Sequence, residues 1–174
     1  MSIHDDVGLE LKFDEAEIRD AVARLGREIS DAYLGSTPIL IGVLKGAFVF
    51  LADLVRELSI PFEVDFVRAR SYGSGTVSSG HIEIVKDIEA DVKGRHVLVV
   101  EDIADTGLTL KTVVARIQAA APASVKRCAL LVRRGAIAPD FAGFTIEPGF
   151  VVGYGIDCNE AYRGLRDIRV LGER

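Results

Sequence analysis

Two acids, Glu101 and Asp102, close an apolar run, and a third, Asp105, follows with Thr106 and Gly107 behind it (HVLVVEDIADTGLTL, residues 96–110). Val97, Leu98, Val99 and Val100 form a continuous block that suits a strand covered on both faces of a parallel sheet. The acids stand at its carboxyl end, where open α/β sheets hold their ligands. Residues 105–107 read as a tight turn, and Leu110, Val113, Val114 and Ile117 then repeat at helical spacing. A helix N-terminus offers unpaired amide donors and a favourable dipole to a phosphate, and Thr106 and Thr109 add hydroxyls. Carboxylates beside a phosphate repel it unless they accept hydrogen bonds from sugar hydroxyls or share a hard cation such as Mg²⁺. The pattern therefore describes a grip for a phosphorylated sugar, with Glu101 and Asp102 on a vicinal diol and Asp105 free for chemistry. An acidic, capped strand-to-helix turn without a ligand is the plainer alternative.

Three further segments carry chemistry, each with a plain alternative. In GVLKGA (42–47) a buried strand runs into a small-residue turn and a helix. Lys45 there fits a phosphate or pyrophosphate anchor, or a solvated lysine at a helix start. The loop SYGSGTVSSG (71–80) has too little apolar surface to be held by packing, and reads as a lid contacting ligand through Tyr72 or as a long hairpin loop. In FVVGYGIDCNEAYR (150–163), Asp157 suits a hard cation, Phe150 a stacked aromatic base and Arg163 phosphate oxygens. Taken singly they are also a core aromatic, a turn acid and a surface arginine. No Walker A pattern occurs, and Ser78 breaks the near-match to a dinucleotide fingerprint around Gly73 and Gly75.

The elements that must position these residues belong to one continuous α/β unit. Asp14 with Glu17 signals a capped helix, Phe13 is placed to staple onto Ile18, and Val22, Leu25, Ile29 and Tyr33 share its apolar face as far as Gly35. Strands are expected over 38–44, 61–68, 82–85, 96–102, 124–132 and 150–154. A helix is expected over about 47–58, with Phe48, Leu51, Val55 and Leu58 inward. Alternating strands and helices imply a mainly parallel twisted sheet flanked by helices, with right-handed crossovers. At 174 residues the chain reads as one domain. With 21 basic against 26 acidic residues and a net charge of −5, it shows no basic stripe for nucleic acid. Its apolar runs are too short for a bilayer span. Two cysteines, Cys128 and Cys158, without a CxxC or a signal-like start point to a cytoplasmic setting, and the three histidines have no zinc spacing.

Four motifs in order, VLKGA, DFVRARSYGSG, VEDIADTGLTL and GFVVGYGIDCNEAYR, resemble the hypoxanthine-guanine phosphoribosyltransferases of the type I phosphoribosyltransferase family, over about residues 38–170. The resemblance implies a type I phosphoribosyltransferase fold with a flexible lid over about 70–80. It also implies a small hood over the base, built from about 132–174 with the N-terminal segment. It implies that Glu101 and Asp102 hold the ribose hydroxyls of phosphoribosyl pyrophosphate. The backbone from Asp105 through Thr106, Gly107 and Leu108 to Thr109 would cradle its 5′-phosphate, and Asp105 would act as general base near purine N7. Leu44, Lys45, Gly46 and Arg163 would meet pyrophosphate, with a non-proline cis peptide at Leu44–Lys45, and Ser71 and Tyr72 would belong to the lid. Phe150 would stack on the purine, and the Val151 backbone would face its 2-position. Asp157, with Glu101 and Asp102, would bind Mg²⁺. A homodimer or homotetramer is implied, with the donor and a purine base as ligands and neither nucleic acid nor membrane as partner.

One departure bears on the base. The family's usual Asp-Lys pair, whose lysine donates to the exocyclic oxygen of a 6-oxopurine, is absent from LLVRRGAIAPDF, and the connection is shorter. Arg133 is the nearest substitute and Arg134 the second; a guanidinium donates to a carbonyl oxygen with a different fork and reach. The activity implied is transfer of the phosphoribosyl group to N9 of hypoxanthine or guanine. Two other readings are a xanthine-preferring transferase and a regulator that senses phosphoribosyl pyrophosphate without catalysis.

Overall fold

Val97, Leu98, Val99 and Val100 are wholly buried because both faces of their strand are covered. This computed structural model describes residues 8–71, 82–105 and 107–172, with Ser71 by its backbone. In chain order the elements are β1 (Leu9–Phe13), α1 (Glu15–Ala32), β2 (Ile39–Leu44), α2 (Phe48–Leu54), β3 (Glu63–Ser71), β4 (Ile82–Lys86), β5 (His96–Ala104), α3 (Leu108–Gln118), β6 (Ser124–Arg133), β7 (Phe141–Ile146), β8 (Phe150–Val152) and β9 (Ile168–Leu171). Six strands form one sheet in the order β4-β3-β2-β5-β6-β7, parallel except for β4 against β3. Alternation along β5 divides its side chains between two cores. Leu98 and Val100 pack with Ile18, Leu25, Ile29, Phe50 and Leu54 from α1 and α2. Val97 and Val99 pack with Leu110, Val113 and Ile117 from α3. Each such side chain contributes about 1.5–3 kcal/mol relative to exposure. The sheet is thereby held between helices with its carboxyl edge open.

α1 forms where its capping box predicts. The Asp14 carboxylate accepts from the Glu17 backbone N–H at 2.8 Å, and the Glu17 side chain accepts from the Asp14 N–H at 2.9 Å. Phe13 packs against the core cluster that contains Ile18, and its ring also stacks on Phe144, centroids 4.0 Å apart, which ties β1 to β7. The helix stops at Ala32, before Gly35, which turns the chain at φ 78°. The second helix differs more. FVFLADL is apolar on nearly every side, so spacing alone does not choose its inward face. Phe50, Leu51 and Leu54 are buried while Phe48 is 44% exposed, and a 3₁₀ turn at Val55–Glu57 ends the helix early.

A second, three-stranded antiparallel sheet, β1-β9-β8, is built from both ends of the described chain. Residues 132–146, expected in the hood, lie instead in and beside the main sheet, because β6 runs on to Arg133 and β7 pairs with it. Among the described residues no helix is long and apolar enough to cross a membrane.

Candidate active site

β5 carries its polar residues past the sheet's apolar belt. Glu101 is buried, 8% exposed, and its carboxyl is pushed up to about 8 by desolvation, then by the charges of Asp102 and Asp105. Desolvation likewise raises Asp102 to about 6, against the opposing pull of its own and Ile103's backbone N–H groups and of Arg163, with Asp157 adding repulsion. Two adjacent acids with raised proton affinity form a donor set that favours a hydroxyl or a cation. Beyond them Asp105 is exposed, and Gly107 caps α3 in the left-handed region (φ 74°) with no side-chain cap. The Lys111 N–H reaches the Gly107 carbonyl at 2.7 Å, so the amides before it, including those of Leu108 and Thr109, are open to an anion.

The structure brings Arg133 to Asp105. Its Nε donates to Asp105 Oδ2 at 2.8 Å and its Nη1 to the Glu147 carbonyl at 3.3 Å, and its side chain is 17% exposed. Arg134 turns outward to the Glu147 carboxylate, Nε to Oε1 at 2.7 Å. Of the two arginines, Arg133 is the one beside the candidate base.

The turn after β2 faces the same edge. Leu44–Lys45 is a cis peptide, and Lys45 Nζ donates to Glu160 Oε1 at 2.7 Å. Gly46 is there because a Cβ would collide with the Asp102 carboxylate. The loop after β8 closes over this turn. Arg163 reaches Asp157 Oδ1 at 2.8 Å, Glu160 Oε2 at 3.2 Å and the Gly155 carbonyl at 2.8 Å, while its buried Nε has no acceptor among the described residues. Asp157 also accepts from the Glu160 N–H at 2.8 Å. Glu160 thus links Lys45 with Arg163, a role that spacing does not reveal. Among the described residues no three His, Cys, Asp or Glu side chains converge as a metal cage.

Phe150, on β8, is 74% exposed and Val151 beside it is buried, its backbone in register with Val170 of β9. Tyr72, Thr106 and residues 72–80 of the expected lid lie outside the described residues; Ser71 ends β3.

A parallel sheet whose carboxyl edge gathers an acidic pair, an open helix N-terminus and a lysine turn defines a domain that handles a phosphorylated sugar. The chain matches the phosphoribosyl transferase domain model over residues 13–159 and belongs to that family. It is 45% identical over 163 residues to the hypoxanthine phosphoribosyltransferase of Salmonella typhimurium, covering 90% of this chain and 92% of that one. A bifunctional protein TilS/HprT of Listeria innocua is 44% identical over 174 residues, 98% of this chain, which spans only 27% of that longer protein. A crystal structure of a hypoxanthine-guanine phosphoribosyltransferase from Bacillus anthracis superposes with a TM-score of 0.89 at 36% identity, covering 95% of this chain and 99% of that one.

Proposed function

We propose that this chain transfers the 5-phosphoribosyl group of phosphoribosyl pyrophosphate to N9 of a 6-oxopurine, hypoxanthine or guanine, releasing pyrophosphate and IMP or GMP in purine salvage. The observation that carries this reading is the Arg133–Asp105 contact at the end of β5, which sets a carbonyl-seeking donor beside a proton acceptor. A 6-oxopurine presents that edge in complement: O6 accepts from Arg133 and the N7 region faces Asp105. Adenine has an amino group at position 6, which cannot accept from a guanidinium.

The bond from C1 of the sugar to pyrophosphate breaks, the bond from C1 to N9 forms, and the purine gives up one proton. Asp105 takes that proton. Glu101 and Asp102 hold the ribose hydroxyls so that C1 faces N9. The amides around Gly107, Leu108 and Thr109 bind the 5′-phosphate. Lys45, the Gly46 backbone and Arg163 receive the leaving pyrophosphate. Phe150 stacks on the purine, and the Val151 backbone faces its 2-position. Asp157, with Glu101 and Asp102, suits Mg²⁺ in donor chemistry, and the cation would share its coordination with substrate oxygens. When bound, Mg²⁺ neutralises charge building on pyrophosphate. Tyr72 and its loop are assigned to exclusion of water. A cytoplasmic homodimer or homotetramer completes the reading, with light scattering as the measure of assembly.

The test is incubation with phosphoribosyl pyrophosphate, Mg²⁺ and each of hypoxanthine, guanine, xanthine and adenine. Nucleotide from hypoxanthine or guanine and none from adenine is expected. Product from xanthine alone replaces the base assignment, and no product from any base overturns the activity.

A further inference from the structure

Two segments must keep a fixed separation if they are to take one pyrophosphate between them: the Lys45–Gly46 turn and the loop after β8. A tyrosine outside the reaction joins them. Tyr154 has a left-handed backbone (φ 52°) between Gly153 (φ 101°) and Gly155 (φ 96°), a conformation that a bulky residue rarely adopts. Its ring is buried, and its hydroxyl donates to Asp53 Oδ2 at 2.7 Å. Asp53 stands near the end of α2, the helix that starts directly after the lysine turn, and its other oxygen accepts from Arg56 at 2.9 Å. One residue beyond Tyr154, a Cβ on Gly155 would come within 2.5 Å of the Gly46 carbonyl. Gly46 in turn abuts the Asp102 carboxylate, and the Gly155 carbonyl accepts from Arg163. Acidic strand, lysine turn and arginine loop are therefore stacked in direct contact; beside the Lys45–Glu160 pair, the Tyr154–Asp53 hydrogen bond is a second anchor, from the loop to α2.

We propose that Tyr154 and Asp53 are a positioning pair for the pyrophosphate end of the donor, an inference that rests on the donor assignment made above. Neither residue is assigned a contact with substrate. Without the hydroxyl, the left-handed Tyr154 backbone loses its tether to α2 and the spacing of Lys45 and Arg163 broadens. The purine side, carried by Phe150, Val151 and Arg133 on β8 and β6, stays in place.

The variants are Tyr154→Phe, Asp53→Asn and Asp53→Leu. The readouts are KM for phosphoribosyl pyrophosphate, KM for hypoxanthine, and calorimetric binding of pyrophosphate with Mg²⁺. Tyr154→Phe and Asp53→Leu are expected to raise donor KM and pyrophosphate Kd about tenfold and to leave hypoxanthine KM within about twofold. Asp53→Asn keeps an oxygen for the hydroxyl and should bind within about twofold of the unaltered chain. Combining Tyr154→Phe with Asp53→Leu should add no further loss, since each breaks the same contact. Both residues line a cavity of about 560 Å³, so water can reach the group left behind. Should Asp53→Leu fail to fold, Tyr154→Phe, which removes one oxygen atom, carries the test. An unchanged donor KM in Tyr154→Phe overturns the proposal, and so does an equal rise in both KM values, the mark of general loosening. Turnover by the unaltered chain tests the donor assignment separately; its absence rejects that assignment, while pyrophosphate calorimetry still reads the pair.

Discussion

Asp105 and Arg133 are 28 residues apart in sequence and 2.8 Å apart in space, so the two roles proposed for them are told apart by mutation. Asp105→Asn removes the proton acceptor from an exposed position; kcat should fall about 10²- to 10⁴-fold with the melting temperature kept, as steady-state kinetics and calorimetry will show. Arg133→Met keeps the length of the chain and loses the donor. It should raise purine KM about tenfold or more while donor KM stays, and unmoved purine affinities would remove Arg133 from the base site. Glu101 costs the unliganded fold something, because burial and two neighbouring acids oppose its charge. Glu101→Gln should melt higher at pH 8 yet bind the donor less tightly, a trade seen by thermal scans beside donor titrations. The acids of one short motif and the lysine of another could be singled out by residue type and spacing alone. Glu160, Asp53 and Tyr154 were not, because their partners lie 101 to 115 residues away along the chain and only folding joins them.

At the scale of elements, the buried parallel strands were the most legible, since unbroken apolar runs have few other uses. β7 escaped notice. Its burial alternates poorly, and Gly143 interrupts it where the Leu130 backbone of β6 passes too close for a Cβ. β1 and β9 are short and half exposed, and they exist through pairing with each other rather than through any local pattern. Another non-local device fastens the sheet's antiparallel edge. Asp65 on β3 accepts the backbone N–H groups of Phe66, Glu89 and Ala90 at 2.6, 2.7 and 2.9 Å, with Lys86 nearby at 3.7 Å. Burial alone would raise its proton affinity, but those three N–H groups and the lysine outweigh it and hold the carboxyl below 3.8. The folded chain therefore releases this proton more readily than the unfolded one. The stabilisation is complete above pH of about 4 and is lost as pH falls through the depressed folded value. Asp65→Ala should cost about 1–3 kcal/mol at pH 7, and denaturant titrations should show that difference shrinking toward pH 3.

For the whole molecule, the proposed donor site draws on β2, β5, α3 and the loop after β8, so donor binding there is expected to be linked to folding. A saturating ligand at about 100 times its Kd adds about 2.7 kcal/mol. For a chain of this size, phosphoribosyl pyrophosphate with Mg²⁺ should then raise the melting temperature by about 5–10 °C, and hypoxanthine alone by less. The small sheet adds a different consequence. β1 and β9 run antiparallel, and the Gly172 N–H reaches the Gly8 carbonyl at 2.8 Å, which brings the two ends of the described chain side by side. Order along the polypeptide is thus separable from order in space. A circular permutant that joins residue 172 to residue 8 and opens at the exposed Leu34–Gly35 turn should keep every strand neighbour and both halves of the proposed base site. The same enzyme could then be written starting from β2, with its first strand read last.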